Sequence, residues 1–419
     1  MTAALQLHAR IDCNTTAIDR CYKGRFIVIG PVMPAHRPRH AILPSFLACV
    51  LLSACATAPD SRAPTHAAEA DEAGKQDALF ARHRHEIPHV VVKEAWVSAA
   101  SADDNVDSPA SWRGKDGKLM VVATAKSTDQ LVVYDGDTGK RLRTSGTSGK
   151  TLGQLSRPNG IATIDDAFAF VVERDNHRVQ MFALPGFEPL LAFGDVDLKK
   201  PYGLWVRATG NGYEVMVSDA YDLGEDAAGN DILPPLQDLD RRFRRYAVVR
   251  DGSGWRARAT GHFGDTSAAG AIRIPESLFG DEANNLLLIA EEDVATGTRL
   301  REYTLDGRYA GRDVGAKQYR AQAEGIALKR CADGSGWWVA SDQFDDRTVF
   351  HLFDRKSLQH AGSFVGEVTG LTDGVWLDER GDARFPQGVF YASHLDVALA
   401  AFDWRDIARA LKLKADCAR

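Results

Sequence analysis

Acidic side chains recur beside short hydrophobic segments through residues 104–325 of this chain. They are Asp104, Asp107, Glu276, Glu291, Glu292 and Glu324. Calcium prefers oxygen ligands such as carboxylates, and it takes about six to eight of them at about 2.3 to 2.6 Å. The chain has no convincing GxSxG nucleophile motif or HExxH zinc site. These residue types favour chemistry at a carboxylate-bound metal, provided that the fold brings the segments together.

The hydrophobic segments form a repeat. Short β-rich runs such as LVVYD and LLLIAE alternate with turns of Gly, Asp and Asn, which is typical of an all-β protein. A similar unit restarts at Ser108, Gly160, Gly203, Glu276, Gly325 and Gly374, at intervals of 43 to 73 residues. Four-stranded propeller blades have a period of roughly 40 to 50 residues. The sequence therefore predicts an all-β fold, a six-bladed β-propeller.

Three segments should depart from the regular blade pattern. Residues 219–239 are rich in Gly, Asp and Pro and lie in the longest interval, so we interpret them as a loop insertion. Residues 89–97 have a strand pattern and are expected to pair with the last blade, around residues 388–402, which would close the ring. Residues 404–412 follow Asp403, a suitable N-cap, and have helical periodicity. We therefore predict a propeller over residues 89–419 that ends in a short helix.

Composition excludes one broad class of function. The chain has a net charge of −6, is 44% hydrophobic and 26% charged. Nucleic-acid binders need a surplus of clustered cations, so we expect no nucleic-acid partner. We expect a monomer that binds a small molecule.

The N-terminal region has the order of a lipoprotein signal. Met33 is followed by Arg37 and Arg39, then an apolar run at 41–52 that is too short to span a bilayer, then Leu52-Ser53-Ala54-Cys55. We predict a lipid on Cys55 and, because Ala56 follows it, an outer-membrane location. Residues 1–54 would be an upstream segment and signal peptide, and 55–88 a disordered tether. The alternative is an ordinary cleaved signal with an incidental Cys55.

Two cysteines remain beyond Cys55, namely Cys331 and Cys417. In an oxidising compartment they could form a disulfide. Two free thiols are the equally open alternative, since Cys417 lies near a terminus.

One unit resembles the NHL repeat. Its LSRPNGIAT opening and VVERDNHRVQMFALPGF continuation carry that repeat's Pro-x-Gly-Ile start and Asn-His-Arg turn. The resemblance implies a propeller blade and leaves activity open, because this fold hosts binding modules as well as enzymes.

Residues 104–406 resemble, in the same order, the calcium-dependent β-propeller phytases. The strings that carry this resemblance are DNVDSPASW from Asp104, TAK ending at Lys126, PYGL around Tyr202, Glu276 fifteen residues before Glu291 in IAEED, and EGI from Glu324. The segments TDG at 372–374 and FPQGVFYAS resemble the last blade of that family.

The resemblance implies a set of roles. Calcium would be held by Asp104, Asp107, Tyr202, Glu276, Glu292 and Glu324. Lys126 and Arg174 would contact phosphate. The implied activity is calcium-dependent hydrolysis of phosphate monoesters of myo-inositol hexakisphosphate, of the 3-phytase type, without a Ser, His or Cys nucleophile.

Three positions depart from the family pattern. Ser108 replaces the second Asp of an acidic pair, Gln322 replaces an Asp, and Ser218-Asp219-Ala220 stands where a cation follows the third-blade strand. These departures predict weaker calcium or phosphate binding. Two other functions therefore stay open: a non-catalytic, NHL-like binding module of the cell envelope, and a metal-dependent esterase or lactonase.

Overall fold

The computed structural model describes residues 79–227, 231–414 and 417, which belong to one compact unit. Cys55, the predicted signal peptide and most of the predicted tether lie outside these residues. Among the described residues, no helix is both long and apolar enough to cross a membrane.

Alternating apolar residues fold into six antiparallel sheets of four strands, one of them extended by a fifth strand, and these sheets are the blades of a propeller. Blade 1 contains β3 (Val106–Arg113), β4 (Leu119–Ala125), β5 (Gln130–Asp135) and β6 (Arg141–Ser145). Blade 2 contains β7 (Pro158–Ile164), β8 (Phe168–Glu173), β9 (Arg178–Ala183) and β10 (Glu188–Phe193). Blade 3 contains β11 (Pro201–Thr209), β12 (Gly212–Asp219), β13 (Phe243–Asp251) and β14 (Gly254–Phe263).

The second half of the ring follows the same order. Blade 4 contains β15 (Pro275–Asp281), β16 (Leu286–Glu291), β17 (Arg299–Tyr303) and β18 (Tyr309–Val314). Blade 5 contains β19 (Gln322–Arg330), β20 (Gly336–Gln343), β21 (Val349–Asp354) and β22 (His360–Val365). Blade 6 contains β23 (Val375–Asp378), β24 (Val389–His394) and β25 (Ala398–Asp403). The predicted six-bladed propeller is confirmed.

The first strand of each blade lies innermost, and these six strands contact one another around a closed ring, with β23 next to β3. They approach so closely that small residues are required at the axis. A Cβ atom on Gly160 would come 2.7 Å from the carbonyl oxygen of Tyr202, and one on Gly374 would come 2.5 Å from the Cα of Ser108. The repeated glycines of the sequence are thus explained by backbone packing around the axis.

The ring is closed by two short strands rather than by one. β2 (Trp96–Val97) pairs antiparallel with β25 of blade 6, as predicted. β1 (Val90–Val91) instead pairs parallel with β22 of blade 5, so assigning the whole of 89–97 to the last blade was wrong. The reason is Glu94, whose carboxylate accepts hydrogen bonds from the backbone N–H groups of residues 367, 368 and 369 at 3.0 Å each. This contact holds the chain where it crosses between the two blades.

The N-terminal boundary also differs from the prediction. Residues 79–88, assigned to the tether, lie against blade 5. Helix α1 (Phe80–His83) begins this segment, and Phe80 packs on Phe344 with ring centroids 5.7 Å apart. Ile87 is buried as well. The folded chain therefore begins earlier than the apolar pattern indicated.

The C-terminal segment is fixed to blade 5. Helix α2 (Trp404–Ala410) begins where the Asp403 side chain accepts a hydrogen bond from Arg405 N, as the N-cap pattern predicted, and it ends before residue 412. Trp404 is buried beside Trp337. A disulfide joins Cys331 to Cys417, which decides between the two alternatives that the sequence left open.

Candidate functional site

A repeated irregularity of the inner strands creates the candidate site. In blades 1 to 5 the pairing of the first two strands is interrupted over two residues, between Val106 and Pro109 in blade 1 and at the equivalent places in the others. In each of these two-residue interruptions, the second residue is a small one that packs at the axis, and the first is polar. In blade 6 the corresponding pair, Asp373 and Gly374, directly precedes β23.

The polar members of these pairs form a ring around one mouth of the central channel. In order they are Asp107, Asn159, Tyr202, Glu276, Glu324 and Asp373, and we call them the ring residues. The channel itself has a volume of about 270 Å³. It is lined by residues of the inner strands, including the small residues Ser108, Gly160 and Gly203. The sequence thus predicted four of the six ring positions.

Hydroxyl groups of the second strands fix the ring in place. Thr124 Oγ1 accepts from Ser108 N at 3.0 Å and donates to the carbonyl oxygen of Asn159 in the next blade at 2.6 Å. Ser218 Oγ accepts from Gly203 N at 2.8 Å and donates to the carbonyl oxygen of Glu276 at 3.0 Å. Each hydroxyl therefore couples the ring segment of its own blade to that of the next.

A second set of residues lies just beyond the ends of the second strands. In blades 1 to 4 the backbone N–H of each donates to the carbonyl oxygen of the residue two places before the ring residue. These residues are Lys126, Arg174, Ala220 and Glu292, and we call them the collar. Three of the four were singled out by the sequence. Ala220 ends the Ser218-Asp219-Ala220 segment, in which the sequence comparison expected a cation.

The residue before the collar has a structural role. Glu173, Asp219, Glu291 and, in blade 5, Asp342 are buried and accept backbone N–H bonds from the loop that leads into the inner strand of their own blade. In blade 6, His394 Nδ1 accepts from Gly370 N in the same way. We call the four acidic residues, Glu173, Asp219, Glu291 and Asp342, the anchor acids. This role separates Glu291, which holds a loop, from its neighbour Glu292 in the collar.

Lys126 joins the collar to the ring. Its Nζ lies 3.1 Å from Asp107 Oδ2 and 3.2 Å from Asp373 Oδ2, and both Lys126 and Asp107 are buried. Burial raises the pKa of the Asp107 carboxyl, the positive charge of Lys126 opposes this rise, and Asp373 adds to it. Two carboxylates of neighbouring blades are thus neutralised in part by one ammonium group.

Two glutamine side chains donate hydrogen bonds to carboxylates at the same mouth. Gln343 Nε2 donates to Asp373 Oδ1, and Gln322 Nε2 donates to Glu292 Oε1. Gln322 is one of the departures from the family pattern, and here it places a donor where that pattern has another acid.

Asp104 does not join the ring. Its carboxylate accepts from Thr128 Oγ1 at 2.9 Å and pairs with Arg141 on the outermost strand of blade 1 at 2.6 Å. These contacts direct the side chain into its own blade, because Arg141 belongs to β6. The structure therefore places Asp104 apart from Asp107, although the two are close in sequence.

A cleft of about 1040 Å³ with a surplus of cations, here called the basic cleft, lies beside the ring, between blades 2 and 3. Its cationic side chains are Arg157, Arg174, Lys199, Lys200, Arg241 and Arg244, and its acidic ones are Asp175, Asp222, Glu225 and Asp231. Arg157 is two residues before the ring residue Asn159, and Lys200 is two residues before Tyr202. The predicted loop insertion forms part of its wall, and Asp231 of that insertion pairs with Lys200. Arg174 therefore lies in a cationic site that adjoins the ring.

Asn159 and Asp373 are the ring residues that sequence reasoning missed. Each stands immediately before a repeat-start glycine, as Tyr202 and Glu324 do, so position within the repeat was the available signal. Both amide atoms of Asn159 are buried and make no hydrogen bond within the part of the chain that the structure describes.

The ring residues carry oxygen atoms of the kind that bind metal ions. Across residues 79–227, 231–414 and 417, no three His, Cys, Asp or Glu side chains are placed to hold a metal ion as they stand. The donors at the ring are nevertheless the carboxylate, phenol and amide oxygens that suit calcium, and the Asn159 amide oxygen is one buried acceptor still to be satisfied. The oxygen atoms of the ring residues are therefore of the chemical type that calcium prefers.

The N-terminal segment contains one pair of histidines with a zinc-like spacing. Residues 85–89 read His-Glu-Ile-Pro-His, but they follow α1 rather than lie on a helix. Glu86 pairs with Arg320 at 3.3 Å and His89 Nδ1 bonds to Ile87 O at 2.7 Å. These side chains are turned to other partners, so this segment is not a zinc site.

The fold and the ring together define a six-bladed β-propeller with an acidic channel mouth beside a basic cleft. No family model and no curated protein matches the chain. Among solved structures, a Bacteroides thetaiotaomicron protein of unknown function is similar at TM-score 0.47 and 13% identity, covering 76% of this chain and 75% of that one. A candidate gluconolactonase is similar at TM-score 0.42 and 13% identity, covering 76% of this chain and 95% of that one.

A third similar structure is the Kuenenia stuttgartiensis hydrazine synthase, at TM-score 0.42 and 11% identity, covering 74% of this chain and 81% of that one. Similarities at this level bear on neither the activity nor the ligand of this chain.

Proposed function

We propose that this protein hydrolyses phosphate monoesters at the channel mouth in a calcium-dependent reaction, with inositol polyphosphates such as myo-inositol hexakisphosphate as substrates. One observation carries the proposal. Four carboxylates and a tyrosine occupy equivalent positions around one channel mouth, and a cationic cleft opens beside two of the same blades. An acidic ring next to a basic cleft suits a polyanionic ligand that is bound in part through divalent cations.

The residues that would hold calcium are Asp107, Tyr202, Glu276, Glu324 and Asp373, with Glu292 beyond them. Bound calcium would neutralise phosphate charge and lower the pKa of an attacking water. We do not propose Asp104 as a ligand, because its carboxylate is bound by Arg141 and Thr128.

The cations of the chain would orient the substrate. Arg174 and the neighbouring Arg157 and Lys200 line a cleft large enough for several phosphate groups. Lys126 would supply a charge-assisted hydrogen bond at the ring itself. Since these groups lie on adjoining blades, one phosphate can be at the ring while others remain in the cleft.

The test is phosphate release by the full-length protein from myo-inositol hexakisphosphate, with added calcium or with a chelator. We expect release only with calcium, and strong loss of it in Glu276→Gln and Asp373→Asn. Glu282→Gln is the matched control, because Glu282 lies near the far end of the channel with 56% of its side chain exposed. It should retain wild-type activity.

Absence of phosphate release under all conditions would reject the enzymatic proposal. Calcium-induced stabilisation without turnover would then favour a binding module of the cell envelope. Lactone or ester turnover that is abolished by Glu276→Gln would favour the metal-dependent esterase.

We also propose that the protein is an outer-membrane lipoprotein, anchored through Cys55. The support is the Leu52-Ser53-Ala54-Cys55 sequence. A palmitate analogue fed to expressing cells should label the wild type, and Cys55→Ser should remove the label. Equal labelling of the two proteins would reject the anchor.

A further inference from the structure

Three buried side chains on neighbouring strands of blade 5 form a linear hydrogen-bonded array, away from the ring. His351 Nδ1 lies 2.8 Å from Ser363 Oγ, and His351 Nε2 lies 3.3 Å from Asp342 Oδ2. Asp342 is on β20, His351 on β21 and Ser363 on β22, and all three are at most 2% exposed. The order of groups is carboxylate, imidazole, hydroxyl.

The strands define the proton positions in this array. Asp342 is the anchor acid of blade 5, and its carboxylate already accepts from Arg320 N at 3.0 Å and Ala321 N at 2.8 Å. A carboxylate in that role is an acceptor, so His351 donates to it through Nε2. The neutral ring then carries a lone pair on Nδ1, and Ser363 donates its hydroxyl proton to that atom. His351 is therefore oriented as a base toward Ser363.

Blade 2 has a simpler arrangement at the same place, and it shows which contact of this array the fold itself needs. At the place of His351, blade 2 has Gln180, whose Nε2 donates to the anchor acid Glu173 at 2.6 Å. The residue paired with Gln180 on the outer strand is Ala192, whereas His351 is paired with Ser363. An amide thus suffices to bind the anchor acid. The imidazole and the hydroxyl are additions of blade 5 that the fold does not require.

A cleft of about 390 Å³ opens onto the array. Its walls include Ser363, His351 and His360 together with Ile87 and Pro88 of the N-terminal segment. His360 lies on the wall of the cleft, and its Nε2 lies 2.9 Å from Ser363 Oγ. Glu86, Lys317 and Gln318 complete the lining, and the small residues Ala361 and Gly362 beside Ser363 leave room for a short acyl group.

We propose that Ser363, His351 and Asp342 are a catalytic triad that hydrolyses small carboxylic esters in this cleft, as an activity separate from the ring. Ser363 Oγ attacks the ester carbonyl carbon while His351 Nδ1 takes the hydroxyl proton. The alcohol leaves with that proton, and the acyl group stays on Oγ. Water attacks the acyl-enzyme as His351 Nδ1 takes a proton from it, and the carboxylic acid leaves as Ser363 regains its proton.

Asp342 positions the imidazole throughout this sequence. His360 Nε2 lies 2.9 Å from Ser363 Oγ, so this ring is a second imidazole beside the nucleophile.

The test uses the full-length protein, 4-nitrophenyl acetate as substrate and a fluorophosphonate probe whose attachment site is mapped by mass spectrometry. We expect the probe on Ser363. Ser363→Ala should lose labelling and reduce hydrolysis by at least about 100-fold. His351→Gln should do the same, although it reproduces the Gln180 arrangement of blade 2 and should therefore keep the wild-type melting temperature.

One control variant makes the result decisive. Ser357→Ala removes an exposed hydroxyl of the same blade, and it should change neither labelling nor hydrolysis. Probe attachment at another residue, or hydrolysis that persists in Ser363→Ala, would overturn the proposal. So would a folded His351→Gln variant that retains wild-type activity.

Discussion

Lys126 lies between two carboxylates of neighbouring blades and neutralises part of their charge. Lys126→Met would leave Asp107 and Asp373 facing one another without a cation. Breaking a buried ion pair by removing one partner costs about 3 to 5 kcal/mol. We expect a loss of that order in the free energy of unfolding measured by urea denaturation in the presence of a chelator.

Calcium should restore much of that loss if the ring binds it, so the calcium-induced rise in melting temperature should be larger in Lys126→Met than in the wild type. Lys118→Met is the matched control, since Lys118 pairs with Asp135 at 2.8 Å but is 45% exposed. It should cost less than about 1 kcal/mol. Equal stability of Lys126→Met and wild type would show that the buried pair contributes nothing.

His360 gives a pH dependence whose sign is fixed by its surroundings. Burial and the neighbouring His351 lower its pKa to about 4. The folded state thus favours the neutral ring, so the stability from this group is present above the ordinary histidine pKa of about 6.5 and is lost as the pH falls toward 4. The melting temperature of His360→Gln should therefore fall less than that of the wild type between pH 7 and pH 5. Parallel curves would contradict this assignment.

The ring shows what could be predicted at the scale of single residues. Asp107, Tyr202, Glu276 and Glu324 lie at equivalent places, because each belongs to a motif next to a repeat start; their calcium role stays a prediction. Asp104 could not be excluded from sequence, because its partner Arg141 is 37 residues away in the chain. The base-like orientation of His351 depends on cross-strand register, which no local motif contains.

Among the elements, the crossing between β1 and β2 depends on one side chain. Burial disfavours ionisation of Glu94, but hydrogen bonds from Val368 N and the Thr369 hydroxyl outweigh it and hold the pKa of this carboxyl below its usual value. Glu94→Ala would leave three backbone N–H groups without their acceptor, at a cost of roughly 3 kcal/mol. A fall in melting temperature of several degrees should be seen at pH 7.

The same contact should weaken in acid. Because the folded pKa of Glu94 is lowered, its contribution is present above the ordinary pKa of about 4.5 and is lost as the pH falls through the lower folded value. The difference between the wild type and Glu94→Ala should therefore narrow in strong acid. Glu367→Ala, on an exposed residue of the same turn, is the control and should change stability little.

The elements were predictable where the repeat determines them. Blade number, the insertion in blade 3 and the helix after Asp403 all follow from local patterns. The division of residues 89–97 between two blades does not, because β1 and β2 each contain two residues and their partners are some 270 to 300 residues away in sequence. The docking of residues 79–88 on blade 5 was missed for the same reason.

At the scale of the whole molecule, the disulfide between Cys331 and Cys417 ties the C-terminal segment to blade 5 across 86 residues of sequence. A cross-link of that span stabilises the fold by about 4 to 5 kcal/mol if it acts mainly on the unfolded chain. A reducing agent should lower the melting temperature of the wild type and should leave a Cys331→Ser/Cys417→Ser double variant unchanged. An unaltered wild-type transition after verified reduction would contradict this role.

The seam between β2 and β25 has a consequence for the timing of assembly. Trp96 pairs with Ala401, so a strand made early must wait for one made almost last. Until then β2 has no partner strand and can pair with other chains, so aggregation competes with closure. During synthesis the chain is therefore most vulnerable after five blades have formed, and a chaperone that shields an open strand edge would act at that moment.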